Sequence, residues 1–147
     1  MKKILCIIFA IIFCLGAVSC GKEGDEPKVA RDEFVFVIEN RSGENIKGIN
    51  LTYSVFDEKI GSAFIGNGGT VANGGKLEKT FKAEEFKDCP SLADFKAECT
   101  VINEKDEQKG SINVIKLVAE YGKVYTFIMD GNSETGFHFS KISTIDK

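Results

Sequence analysis

Tryptophan is absent from the 147 residues, proline and methionine occur twice each, and histidine occurs once, at position 138. So little proline excludes a collagen-like or proline-rich chain. With 43% hydrophobic against 28% charged residues, the composition is that of a chain able to bury a core. No run of Lys and Arg exceeds the pair Lys2-Lys3 and the net charge is -3, so the basic face that nucleic-acid binding requires is missing. The one long apolar run sits at the extreme N-terminus, which excludes a multi-span membrane protein. A single His and the lack of any CxxC pair leave no zinc-ligand spacing. The length suits one domain.

What is present begins with MKKILCIIFAIIFCLGAVSC: two lysines, an apolar run from Ile4 to Val18, then a small residue before Cys20. This is the layout of a secretory signal, too short for a comfortable membrane span. Its ending, Ala17-Val18-Ser19-Cys20, resembles the lipobox of bacterial lipoproteins, with Ala17 where leucine is commonest. The resemblance implies that residues 1–19 are removed and that Cys20 carries diacylglycerol on its sulfur and an acyl group on its amine. More than one chain is what makes such anchoring effectively permanent, because each buried methylene contributes about 0.8 kcal/mol. Residues 20–30 then read as the lipidated Cys and a flexible tether, GKEGDEPKVA, without apolar periodicity. Its acidic residues Glu23, Asp25 and Glu26 are similar to the charged tract of surface-exported lipoproteins of Bacteroidetes. An outer-membrane location follows, with outward and periplasmic orientations both open. Loss of Lys2 and Lys3 with the signal moves the mature balance from -3 to -5.

Cysteine usage is read on the same basis. Cys6 and Cys14 leave with the signal and Cys20 takes lipid, so Cys89 and Cys99 remain. An even remainder in an oxidising compartment predicts a disulfide, whose short loop the chain-entropy model values at about 2.5–3 kcal/mol. Two buried thiols are the alternative.

From residue 31 to 147 the pattern is short alternating runs broken by Gly, Asn and Asp. In DEFVFVIEN, Phe34, Phe36 and Ile38 share one face and Val35 and Val37 the other, as in a strand buried on both sides. In IKGINLTYSVF, Ile49, Leu51, Tyr53 and Val55 point inward, and Asn50, Thr52 and Ser54 outward. Lys59 to Ile65 is a third strand weakened by glycine, and LEKTF a fourth. KAEEFKDCPSLAD breaks the alternation and suits a helical turn before Pro90. FKAECTVI puts Phe95, Ala97, Cys99 and Val101 inward, and NEKDEQKG makes a polar hairpin. In SINVIKLVA the alternation is poorer, yet Ile112, Val114, Ile115, Leu117 and Val118 demand burial. KVYTFIMD sets Val124, Thr126 and Ile128 against Tyr125, Phe127 and Met129, and GFHFSKI sends Phe137 and Phe139 inward with His138 outward. Seven or eight such strands predict an all-β domain, an antiparallel β-sandwich of the immunoglobulin-like kind, with a small β-barrel as the alternative.

Motifs of chemistry are scarce. GNGGTVANGG has neither the GxxxxGK[ST] of a phosphate loop nor a strand-GxGxxG-helix setting, and reads as turns. DGNSE at 130–134 spaces oxygen donors as calcium loops do but lacks the terminal bidentate Glu, so it reads as a hairpin turn. His138 has no nucleophile motif near it, and Glu84-Glu85 and Asp106-Glu107 are adjacent pairs that suit solvated turns. No catalytic residue, metal site or cofactor is expected. The reading is an envelope lipoprotein held to the membrane through lipid on Cys20, with a non-catalytic protein-interaction or assembly role and a protein partner. Glycan binding is the alternative, disfavoured because only Tyr53, Tyr121 and Tyr125 are available as polar-tipped aromatic platforms.

Overall fold

A computed structural model describes residues 27–146. The signal-like segment, Cys20 and the tether through residue 26 lie outside the described residues. Nine strands follow in chain order: β1 Glu33–Asn40, β2 Ile46–Val55, β3 Glu58–Ile65, β4 Lys76–Lys82, β5 Phe95–Asn103, β6 Gln108–Gly110, β7 Ile115–Leu117, β8 Lys123–Asn132 and β9 Gly136–Asp146. A single 3-10 turn, Ala83–Phe86, follows β4 where the sequence suggested a helical turn.

The strands form two packed sheets, a β-sandwich rather than a closed barrel. One sheet has the order β4-β1-β8-β9 and the other β3-β2-β5, with β6 and β7 both pairing with β5. All neighbours are antiparallel except β1 and β8, which run parallel with Val35 opposite Val124 and Ile38 opposite Phe127. Alternation fixes which way a side chain faces but not which strand lies beside it, so this pair lies outside what the purely antiparallel expectation could show.

β1 is the central element, and five consecutive residues, Phe34 to Ile38, are buried. Phe34, Phe36 and Ile38 enter the core between the sheets. Val35 and Val37 meet Val124 on the outer face of their sheet, where Val29 folds back onto them. The last residues of the expected tether are therefore docked on the domain. The core is aromatic: Phe34 stacks on Phe81 at 4.7 Å between centroids and meets Phe95 edge-on at 5.5 Å. Phe36 packs against Phe81, Phe95, Tyr125 and Phe127. Such tilted contacts between quadrupoles add about 0.5–1.5 kcal/mol per pair beyond area burial.

The inward residues read from β2, β5, β8 and β9 are buried, from Ile49, Leu51, Tyr53 and Val55 through Phe137 and Phe139. The segment before and around β7 departs from expectation. Ile115 is buried, but Ile112, Val114 and Val118 are 67%, 37% and 58% exposed. Only Ile115–Leu117 pairs with β5. The preceding residues cross instead to the edge of the first sheet, where Ser111 bridges Phe137.

The disulfide expectation is also corrected, since Cys89 and Cys99 are separate free thiols. Cys99 lies in mid-β5 opposite Leu51, four residues beyond Phe95, or about 13 Å along an extended strand. Cys89 follows the 3-10 turn, its N–H bonded to the Phe86 carbonyl, at the end of the sandwich where Phe86 packs against Phe95. Cys99 is thus held in the middle of a strand of the second sheet, and Cys89 in the connection outside it.

The sandwich has two distinct poles. At one, the chain enters β1, Gly122 N–H bonds the Glu33 carbonyl at 2.6 Å, and Lys123 pairs with Asp146. At the other lie the turns 41–45, 103–107 and 133–135. Buried Asn40 organises the first of these, donating to the carbonyls of Glu44 and Val71 and accepting from Ser42.

Candidate functional site

The turn pole forms an open depression of about 590 Å³ lined by Glu44, Asn103, Glu104, Glu107, Ser133 and others. Its acids are engaged in holding the turns together. The Glu44 carboxylate accepts from the Ser133 hydroxyl at 2.6 Å and from its N–H. Asn103 donates to Glu107 at 2.7 Å while its carbonyl oxygen accepts from the N–H groups of Lys105 and Glu107. Among the described residues no group of three His, Cys, Asp or Glu is placed to hold a metal.

The DGNSE segment is the hairpin between β8 and β9. Asn132 Oδ1 accepts from the N–H groups of Glu134 and Thr135 and from the Thr135 hydroxyl, so it serves its own turn. His138 lies on the exposed face of β9, with Ser140 Oγ at 3.1 Å and Asp130 at 3.7 Å. Both partners approach the same ring nitrogen, Nδ1. A nucleophile-base-orienter relay needs them on opposite nitrogens, so this trio does not have that geometry.

Two ionisable groups, Tyr53 and Glu85, meet at the end of the sandwich where the tether enters. Tyr53 donates to Glu85 at 2.5 Å. Burial first, then the bond to Glu85 and its charge, raise the Tyr53 hydroxyl far above its ordinary value. Burial works against ionisation of Glu85, but the Tyr53 hydroxyl, the Lys82 N–H and the Lys79 ammonium together hold its carboxyl below the usual range. The Lys79 ammonium also lies 4.9 Å from the Phe81 ring. This cluster ties the 3-10 turn to β2. Burial pushes the Cys99 thiol up to about 12, and burial with the charges of Glu58 and Asp88 raises Cys89, so neither is poised as a thiolate nucleophile.

The remaining feature is the flank where β7 and β9 face each other across the gap between the sheets. A cleft of about 210 Å³ opens there, with Ile115, Phe127 and Phe139 as its floor and Val114, Lys116 and Lys141 at its rim. Asn113 straps the upper part of this flank. Its side chain accepts from the Phe139 N–H at 2.9 Å and donates to the Phe139 carbonyl at 2.8 Å, copying the two bonds of a paired strand. Ile112 N–H bonds the Phe137 carbonyl alongside. Beyond Phe139 no strand pairs with the outer edge of β9 among the described residues.

No family model matches the chain, and no curated protein matches it. Among solved structures the chain is similar to an NMR structure of a protein from Eubacterium rectale, at 10% identity and a TM-score of 0.43, over 76% of this chain and 89% of that one.

Of Cys89, Cys99, His138 and the 130–134 segment, the residues that stand out in the sequence, only His138 and Asp130 of that segment lie side by side, as cross-strand partners on β9 and β8, and the two cysteines stay apart from them and from each other. What it missed is the flank: Asn113 as a surrogate strand, and Val114 and Val118 turned to solvent with Ile112. The signal was there in the doubled apolar pairs Val114-Ile115 and Leu117-Val118, which no single strand face can bury.

Proposed function

We propose that the protein is a lipid-anchored envelope component whose sandwich serves as a non-catalytic interaction module. The observation that carries the interaction role is the aliphatic strip on one flank. Of the large hydrophobic side chains exposed on this domain, Ile112, Val114, Val118 and Ile142 all belong to the β7–β9 flank, with exposures from 37% to 67%. Exposed aliphatic side chains gathered on one flank beside an open cleft suit a contact surface. The anchoring part of the reading rests on the lipobox-like ending at Cys20. The entry of β1 at one pole supports it, because a tether there leaves the turns of the other pole facing away from the membrane.

The test is mass analysis of the N-terminus from native membranes, paired with a Cys20→Ser variant. A lipidated Cys20 and release of the variant from the membrane fraction support the reading. An unmodified N-terminus elsewhere, or a variant that stays in the membrane, refutes it.

One observation favours glycan binding as a second reading. Phe64 is 58% exposed, and the tip of its ring fills the space where Cβ atoms of residues 48 and 66 would stand. This braced ring borders a shallow depression with Asn50, Thr52 and Ser62. A glycan array in which Phe64→Ala abolishes the signal would support that role.

A further inference from the structure

The exposed edge of β9 is a template for another strand. β9 is the longest strand of the sandwich and the last of its sheet, so its backbone groups on the outer side are open to a partner. The Asn113 strap occupies only the stretch around Phe137 and Phe139. From Ser140 to Asp146 nothing on the described chain pairs with that side. An unpaired edge is a liability that natural sheets blunt with short length, lysines or covering loops. The β4 edge follows that practice: its strand is short and carries Lys76, Lys79 and Lys82. β9 is long, and its flank is apolar.

Three further observations specify the occupant. The cleft beside β9 reaches core residues Ile115, Phe127 and Phe139, so a strand laid along the edge could insert alternate apolar side chains between the sheets. Val114 lines the cleft, and Val118 just after β7 and Ile142 on β9 are further exposed aliphatic side chains of this flank. Lys116 and Lys141, both exposed, stand at the rim; neither is within ion-pair distance of an acid among the described residues, although the Lys116 charge also reaches the Asp57 carboxylate, which pairs with Lys96. In a chain of net charge -3 this is a local positive rim. It complements carboxylates on a partner, whereas two copies meeting edge to edge would line up four ammonium groups along one seam.

We infer that the β7–β9 flank binds an extended segment of another protein by strand addition to β9, the segment carrying alternate aliphatic residues and carboxylates. Backbone pairing supplies the affinity in this mode, and alternate side chains and the lysine rim supply the selection. The inference rests on the interaction-module reading and names its partner's chemistry.

The test uses residues 21–147, which contain the whole sandwich and its core, and the synthetic peptide Thr-Val-Asp-Val-Thr-Val-Asp-Val-Thr. Its counterparts carry Lys in place of Asp, or Pro in place of the central Thr. Amide shifts and hydrogen exchange are followed by NMR. The expected result is slowed exchange confined to Ser140–Asp146, binding weaker by about tenfold for the Lys peptide, and none for the Pro peptide, each rim ion pair accounting for about threefold. In the doubly substituted Lys116→Glu, Lys141→Glu protein the preference should reverse in favour of the Lys peptide. Equal binding of the Asp and Lys peptides, shifts at the β3 or β4 edge, no shifts at millimolar peptide, or concentration-dependent pairing of β9 without peptide would each overturn the inference. A lipidated Cys20 together with any of these outcomes would refute the docking mode and leave the anchoring intact.

Discussion

Replacing Asn113 tests whether the strap across the β9 edge holds that flank in shape. The side chain makes two neutral hydrogen bonds to Phe139, accepting at 2.9 Å and donating at 2.8 Å, from a half-buried position. A neutral bond contributes about 1 kcal/mol net, and water can reach the freed Phe139 groups at a sheet edge, so Asn113→Ala should cost about 1–2 kcal/mol. Asn113→Asp should cost more. It keeps an acceptor for the Phe139 N–H but sets a carboxylate oxygen against the Phe139 carbonyl. Urea unfolding followed by circular dichroism gives the free energies, and the slope should stay unchanged if the sandwich still unfolds as one unit. Hydrogen exchange gives the location, because the Phe139 and Ile112 amides should lose protection while the amides of β1 keep theirs. A change under about 0.3 kcal/mol, with Phe139 still protected, would show that these two bonds do not hold the strap and would refute the reasoning.

Phe36 is fully buried among five aromatic rings, so Phe36→Ala should cost about 3–5 kcal/mol and Phe36→Leu about 1.5 kcal/mol or less, both read by urea unfolding. Glu85 has its carboxyl held below the ordinary 4.5, so its stabilising effect is present above pH 4.5 and is lost as pH falls through the lowered value. Acid unfolding of Tyr53→Phe should therefore show a shallower loss below pH 4.5 than the parent, together with lower stability at neutral pH. Phe56 and Asp57 both carry positive φ, 50° and 64°, in the two-residue turn between β2 and β3, and Phe56 is more than half exposed. Phe56→Asn should raise stability by about 0.5–1 kcal/mol in thermal unfolding, since asparagine accepts that backbone region more readily. Alkylation of the folded domain should label half-buried Cys89 and spare Cys99 until unfolding, and a reductant should leave the melting temperature unchanged.

Much of the fold was legible because burial has a period of two. The runs Phe34 to Ile38 and Ile49 to Val55 name their faces, and Phe95 to Val101 and Tyr125 to Met129 do the same; the structure buries those faces. Partner choice was not legible. Nothing in EFVFVIEN states that β1 lies parallel to β8, because that pairing joins segments nearly ninety residues apart. The flank was misread for a related reason. Hydrophobicity in SINVIKLVA suggests burial, but the chain leaves β5 after β6, crosses to β9 through Ser111 and Asn113, and returns for only three residues at β7. A polar side chain that imitates backbone pairing has no periodic signature. Cys89 and Cys99 show the same limit, since loop length does not reveal that one thiol sits in mid-strand and the other at the end of the sandwich.

The central claim is that a lipid holds this sandwich at a membrane and leaves its aliphatic flank to meet a partner. Intact-mass analysis of the protein extracted from native membranes tests the anchoring half most directly. The predicted result is a chain that begins at Cys20 and carries the added mass of diacylglycerol and an acyl group. A chain recovered in the soluble fraction with an unmodified thiol at Cys20 would contradict the account.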